Sequence, residues 1–213
     1  VRSQKYRLDN EGNLYNINKD RGQHSDISQE KPSVANRLQD SLNKWKEAMT
    51  EEINKDSRPF LIGHSDFRYT QLPARDGKGH GNIVRSRRSP NCSFYTNWTD
   101  TKDKITWNVE VLTEGDYEVE LYYTCPREDL GSKIELSFGS SKLTGKITQP
   151  HDPPLHGKER IDRWEYYTKT FLPIDLGTIY LTEGKGTLTL KALNIPGNKA
   201  MDFRLLMFKR VDN

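Results

Sequence analysis

From Ile105 to Val111 the apolar side chains fall on every second residue, with Thr106, Asn108 and Glu110 between Ile105, Trp107, Val109 and Val111. After the turn Glu114-Gly115-Asp116 the alternation resumes as Tyr117, Val119, Leu121 and Tyr123. A period of two puts these residues on one face of a pleated strand, so each strand is half-buried and antiparallel pairing is expected. Trp107 falls on the core side of this pattern. Further strand-length segments read at Ile134 to Phe138, Leu143 to Thr148, Trp164 to Phe171, Gly177 to Leu181, Thr187 to Leu193 and Met201 to Val211. Glycine turns such as Gly139-Ser140 separate them. Short strands at regular spacing predict a mainly β chain folded as a sandwich.

The first quarter of the chain has a different period. Val34, Leu38, Leu42, Trp45, Met49 and Ile53 recur at steps of three or four, while Arg37, Asp40, Lys44 and Glu47 take the opposite side. That spacing predicts one amphipathic α-helix with one apolar stripe for one partner surface. Pro32 suits its first residue, where a missing amide hydrogen costs nothing, and the helix is expected to run to about Asn54. Before it, Val1 to Ile17 reads as a β-hairpin around Asp9-Asn10-Glu11-Gly12. A hairpin alone is marginal in water, so its strands are expected to pair with strands from elsewhere. The period breaks at Lys55 to Gly63, which contains Asp56-Ser57-Arg58-Pro59. The expected division is therefore a small α+β appendage over residues 1–58 and a sandwich over residues 66–213.

With 33 basic and 30 acidic residues the net charge is only +3, too little for general attraction to nucleic acid. No run of about 18 apolar residues is present to span a membrane. Hydrophobic residues make up only 33% of the chain and aromatic residues 10%, which favours thin β layers with a few large side chains. Cys92 and Cys125 have no metal-ligand spacing; buried free thiols are expected, with one bridge between neighbouring strands as the alternative. The histidines His24, His64, His80, His151 and His156 fall in turns or loops, without the i, i+4 spacing of a helical zinc site. No catalytic acid, base or nucleophile can be assigned.

The run LYNINKDRGQHSDIS, Leu14 to Ser28, precedes the amphipathic helix, and Val1 to Leu8 forms a strand before it. This order resembles the C-terminal subdomain of sulfatases of the arylsulfatase type, whose pattern is LYDL, two residues, DPGE, then NLA. Two positions depart from that pattern: Arg21 stands for the usual proline and Gln23 for the usual glutamate. The resemblance implies a non-catalytic C-terminal piece of a secreted or periplasmic sulfatase acting on sulfated carbohydrate. The partner would be an upstream sulfatase catalytic domain, and that domain would need calcium and a formylglycine nucleophile. The nucleophile motif C-x-P-S-R is absent here. Cys125-Pro126-Arg127 places proline directly after the cysteine, and the segment reads as a strand end. The chain is therefore expected to need no cofactor for chemistry of its own and to be inactive alone.

LPARDGKGHG at Leu72 to Gly81, then NWTDTKDKITWNVEVLTEGDYEVELYY, and finally AMDFRLLMF, resemble the galactose-binding-like carbohydrate-binding modules, over roughly Asp66 to Asp212. That resemblance implies a jelly-roll β-sandwich that holds a sugar. Such modules stack a sugar face on an aromatic ring and fix its hydroxyls with amides, carboxylates or arginine. Trp98, Trp164 and Tyr166 are the candidate rings, with a place in the core as the alternative for Trp98 and Trp164, and Asn198 is the candidate amide. Many such modules hold a structural calcium with two carboxylates, for which Asp76 and Asp202 are the candidates; Arg75 stands where an opening glutamate would be expected. The run Lys78, His80, Arg85, Arg87 and Arg88 has no acidic residue before Asp100. Arginine pairs with sulfate in a planar, bidentate way, so Arg85, Arg87 and Arg88 are expected either to contact a sulfated glycan or to form a solvated loop or a salt-bridged seam against the catalytic domain. A stand-alone lectin-like carbohydrate-binding protein and a purely structural sandwich remain the alternatives.

Overall fold

The computed structural model describes residues 1–88, 91–156 and 168–211. They form two compact units, Val1–Arg58 and Pro59–Asn213.

In the first unit, β1 (Tyr6–Leu8) and β2 (Leu14–Asn16) pair antiparallel with Leu8 opposite Leu14. The Asp9 carboxylate ties their turn by accepting the backbone amides of Glu11 (2.9 Å) and Asn13 (2.8 Å). The helix α1 (Pro32–Lys55) begins with Pro32 at its first position, after Lys31. Leu8, Leu14 and Leu38 make the core, with Tyr6, Ile27, Val34 and Ala35 packed around them. The hairpin thus corrects one expectation, because β1 and β2 form a two-stranded sheet by themselves among the described residues and the helix covers it. Lengths explain the rest of the stripe. A helix of 24 residues runs about 36 Å, whereas strands of three residues span about 10 Å. The hairpin can cover only the first turns, and Trp45, Met49 and Ile53 stay exposed.

The second unit is a jelly-roll β-sandwich. Its strands are β3 (Phe60–Ile62), β4 (Tyr69–Pro73), β5 (Lys78–His80), β6 (Val84–Arg85), β7 (Tyr95–Thr96), β8 (Lys104–Val111), β9 (Gly115–Thr124), β10 (Lys133–Phe138), β11 (Ser141–Lys146), β12 (Leu172–Leu181), β13 (Gly184–Asn194) and β14 (Asp202–Arg210). One sheet runs β11-β10-β13-β8, with β3 and β5 sharing the outer edge of β8. The other runs β12-β9-β14, with β4 and β7 sharing the free edge of β14 and β6 beyond β7. From β8 onward the chain crosses between sheets at nearly every connection, which is what closes two antiparallel sheets over one core.

The predicted period places the core correctly. Ile105, Trp107, Val109 and Val111 of β8 face Tyr117, Val119, Leu121 and Tyr123 of β9, all buried, and the Trp107 and Phe203 rings meet edge to face at 5.8 Å. Each such buried side chain contributes about 1.5–3 kcal/mol. Phe60–Ile62, which the sequence reading leaves in the boundary, belongs to the sandwich as a parallel edge strand beside β8. Of the expected strand Trp164 to Phe171, residues 164–167 lie outside the described residues and Thr168–Phe171 are in no strand. The Thr168 and Thr170 carbonyls instead accept from the His156 amide (2.7 Å) and the His151 imidazole (2.9 Å), so that stretch is tied to a loop. Backbone shape fixes one loop elsewhere: Gly81 has φ +76°, and a Cβ there would lie 1.9 Å from Asp103 Oδ1, whose carboxylate holds the Asn82 amide at 3.0 Å.

Candidate functional site

In β7, β9 and β14 the side chains of Tyr95, Tyr123 and Phe203 turn into the sandwich. Their neighbours Thr96, Thr124 and Asp202 therefore point to the other face of the same sheet. A bulge between Phe203 and Leu205 resets the alternation of β14, so that Leu206 and Phe208 continue the packing into the core while Asp202 stays on the outer face opposite Thr124.

Asp202 is only 4% exposed. Its Oδ2 accepts from Lys169 Nζ at 2.6 Å and its Oδ1 from Thr96 Oγ1 at 2.8 Å and Lys199 Nζ at 3.1 Å. Burial alone would push the Asp202 carboxyl up, but the hydrogen bond and charge of Lys169, then the Thr96 hydroxyl and Lys199, outweigh it and leave it below the ordinary aspartate value. Lys169 also sits 5.3 Å above the Phe94 ring and 3.7 Å from Asp152. Phe94 is braced edge to face by Phe171. Around this pair opens a cleft of about 260 Å³ lined by Ser86, Arg87, Phe94, Thr96, Leu155, Lys169 and Asp202. Ser86 and Phe94 close the base of the loop that carries Arg87, through Ser86 N to Phe94 O at 2.9 Å and Phe94 N to Ser86 Oγ at 3.2 Å.

The candidates from the sequence separate around this cleft. Arg87 and Asp202 line it. Arg85 is held elsewhere, donating to the Arg75 carbonyl at 2.5 Å, and Arg88 is exposed outside the lining. Trp98 is a correction: it is 1% exposed within the main core, so no sugar can stack on it. Asn198 donates its backbone and side-chain amides to the buried Asp129 carboxylate (2.7 and 3.2 Å), which engages it as a loop brace. Trp164 and Tyr166 lie outside the described residues. The calcium expectation meets a donor set that does not fit. Asp202 faces two ammonium groups and Asp76 an arginine, Arg75 Nε, at 3.6 Å, whereas calcium needs six to eight oxygen ligands. Both cysteines are free, and burial followed by the Asp129 charge pushes the Cys125 thiol up to about 11, far from a nucleophile's range.

Lys169, Phe94, Thr96 and Lys199 are members of the site that sequence reasoning missed. Asp202, a carboxylate of the last strand, and Arg87, within the basic run, are the two members that the sequence named. A second concavity, about 180 Å³, lies on the outer face of the same sheet and is lined by Tyr69, Glu118, Glu120, Met207 and Lys209, with Lys209 paired to Glu118. Tyr69 is exposed there, but two carboxylates face one lysine.

No protein-family model matches the sequence, and no curated protein matches it. Among solved structures, the chain is similar in fold to a family 35 carbohydrate-binding module from Clostridium thermocellum, with 13% identity and a TM-score of 0.43 over 67% of this chain and 98% of that one. A family 6 carbohydrate-binding module from Cellvibrio mixtus lichenase 5A, in complex with cellotriose, gives 13% identity and a TM-score of 0.45 over 67% and 98%. The GH26-CBM35 β-(1,4)-mannanase of Podospora anserina gives 12% identity and a TM-score of 0.47, with 68% of this chain covering 28% of that enzyme. No helix among the described residues is long and apolar enough to cross a membrane.

Proposed function

We propose that the chain is a non-catalytic carbohydrate-binding region whose sandwich holds an acidic sugar, one bearing a sulfate or carboxylate, in the Asp202 cleft. The composition of that cleft carries the reading: an apolar lining of the buried Phe94 and the exposed Leu155, a lysine fixed by a buried carboxylate, two hydroxyls, and the exposed Arg87. Its volume, about 260 Å³, lies just under the roughly 300–1,000 Å³ of drug-sized pockets, a size suited to one sugar ring rather than a chain. Asp202 already accepts from Lys169, Lys199 and Thr96, which nearly saturates its lone pairs. Its role is to aim Lys169, leaving the remaining ammonium protons and the Arg87 fork for the ligand's anion. A neutral glycan would instead favour the Tyr69 concavity, where an exposed ring is present and the surplus of carboxylates repels anions.

Calorimetric titration with sulfated and desulfated forms of one oligosaccharide tests this. The sulfated form is expected to bind more tightly, to weaken as salt shortens the screening length, and to lose about tenfold in affinity in Arg87→Gln, the equivalent of roughly 1.4 kcal/mol for a charge-assisted contact. Tyr69→Ala should leave it unchanged. Equal affinities for the two oligosaccharides, or a loss in Tyr69→Ala and none in Arg87→Gln, would remove the cleft from consideration.

The run Leu14 to Ser28 supports a finer proposal, that this region follows a sulfatase catalytic domain in a secreted or periplasmic enzyme and assists its substrate binding. The coding sequence upstream of Val1 decides it. A C-x-P-S-R or S-x-P-x-R motif there is the expected result; a complete protein without a hydrolase domain would leave the lectin-like reading.

A further inference from the structure

We propose that the hairpin of the first unit and the loop after it form a binding site for a tetrahedral oxyanion, a sulfate or phosphate group. An open concavity of about 510 Å³ is lined by Arg2, Arg7, Ile17, Asn18, Arg21 and Gln23. Arg2 and Arg7 face each other in an antiparallel bridge, and like charges directly opposite repel. No described carboxylate lies within ion-pairing distance of Arg2, Arg7 or Arg21. The nearby acids are engaged with backbone: Asp20 accepts the Ser25 amide at 2.9 Å, and Asp26 the amides of Leu14 and Ser28 at 2.9 Å each. Those bonds hold both carboxyls below their ordinary value and fix the loop that presents Arg21.

Gln23 supplies the decisive detail. It holds a left-handed backbone, φ +56°, a conformation that non-glycine residues adopt mainly where surroundings enforce it. Its amide oxygen accepts from Arg7 Nη1. A glutamate at this place would neutralise Arg7; glutamine orients the guanidinium and leaves its charge. Arg21 and Gln23 are also the two departures from the sulfatase pattern, and each change, proline to arginine and glutamate to glutamine, adds one unit of positive charge to the same concavity. Three uncompensated guanidiniums with planar donor forks suit an oxyanion better than a neutral ligand.

The test is NMR of the arginine Nε–H signals in the full chain during titration with sodium sulfate, sodium phosphate, a monosaccharide sulfate and a sugar phosphate, ionic strength being held constant with chloride. Saturable shifts at Arg2, Arg7 and Arg21 are expected. Gln23→Glu should weaken the interaction at least tenfold while the unfolding midpoint holds or rises, and Arg21→Gln should weaken it with the fold intact. Arg87→Gln should leave it unchanged, which separates this site from the cleft in the sandwich. The comparison of the sugar sulfate with the sugar phosphate identifies which carrier of the oxyanion binds more tightly. Shifts that grow linearly without saturating, or equal affinities in wild type and Gln23→Glu, would overturn the proposal and leave the arginines as a docking surface for an acidic partner.

Discussion

Asp202→Ala is expected to destabilise the sandwich by about 3–5 kcal/mol, because it strands the Lys169 ammonium, whose side chain is only 9% exposed, without the carboxylate 2.6 Å away. In a chain of this size each kcal/mol lowers the thermal midpoint by roughly 2–4 °C, so the change is well within reach of calorimetry. The loss belongs to the broken pair rather than to the net worth of the pair. Removing both charges in Asp202→Ala with Lys169→Met should therefore recover most of it, since an apolar replacement of a buried ion pair is often neutral. The pH dependence carries the same signature. The Asp202 carboxyl is lowered in the folded state, so its contribution is fully present above the unfolded value of about 3.9 and is lost as the pH falls through the lower folded value. Wild type and Asp202→Ala should differ most near neutrality and converge in acid. A single variant within about 1 kcal/mol of wild type at pH 7 would show that Lys169 finds another partner, and the account of the cleft wall would fail.

Most of the sandwich was legible because period-two alternation reports directly on a sheet with one dry face. Ile105 to Tyr123 gave both central strands and the core position of Trp107. Strands that lack such a face were not legible. Phe60–Ile62 is three residues long with Phe60 and Leu61 exposed, so its edge pairing with β8 has no pattern to announce it. The helix stripe was legible as a stripe but not in its extent of burial, since that depends on the length of the hairpin it meets. The cleft was the least legible part. Thr96 and Asp202 are 106 positions apart, and Lys169 reaches Asp202 across 33. Local sequence carries no signal that brings those three side chains together; pairing of β14 with β7 brings Thr96 to Asp202, and the ties of Thr168 and Thr170 to His156 and His151 bring in Lys169. Within the basic run, composition could not separate Arg87, which lines the cleft, from Arg85, which the carbonyl of Arg75 holds.

Trp98 gives the sharpest contrast between a residue type that suits sugar binding and a position that forbids it. The residue before it, Asn97, has φ +59° and donates its side-chain amide to the Asn82 carbonyl at 2.8 Å, which turns the chain at the point where it leaves β7. The Trp98 carbonyl then accepts the Ala200 amide at 2.8 Å, pinning this segment beside the start of β14, and the indole goes into the core. Trp98→Ala should cost about 3–5 kcal/mol, the range for emptying a large aromatic site in a packed interior. Trp98→Phe keeps a buried ring and should cost less than half of that, with affinity for the sulfated oligosaccharide within twofold of wild type. A sugar platform would behave in the opposite way, losing affinity in both variants with little change in the unfolding midpoint. If Trp98→Phe unfolds like wild type yet binds tenfold more weakly, the indole touches the ligand and its assignment to the core is wrong.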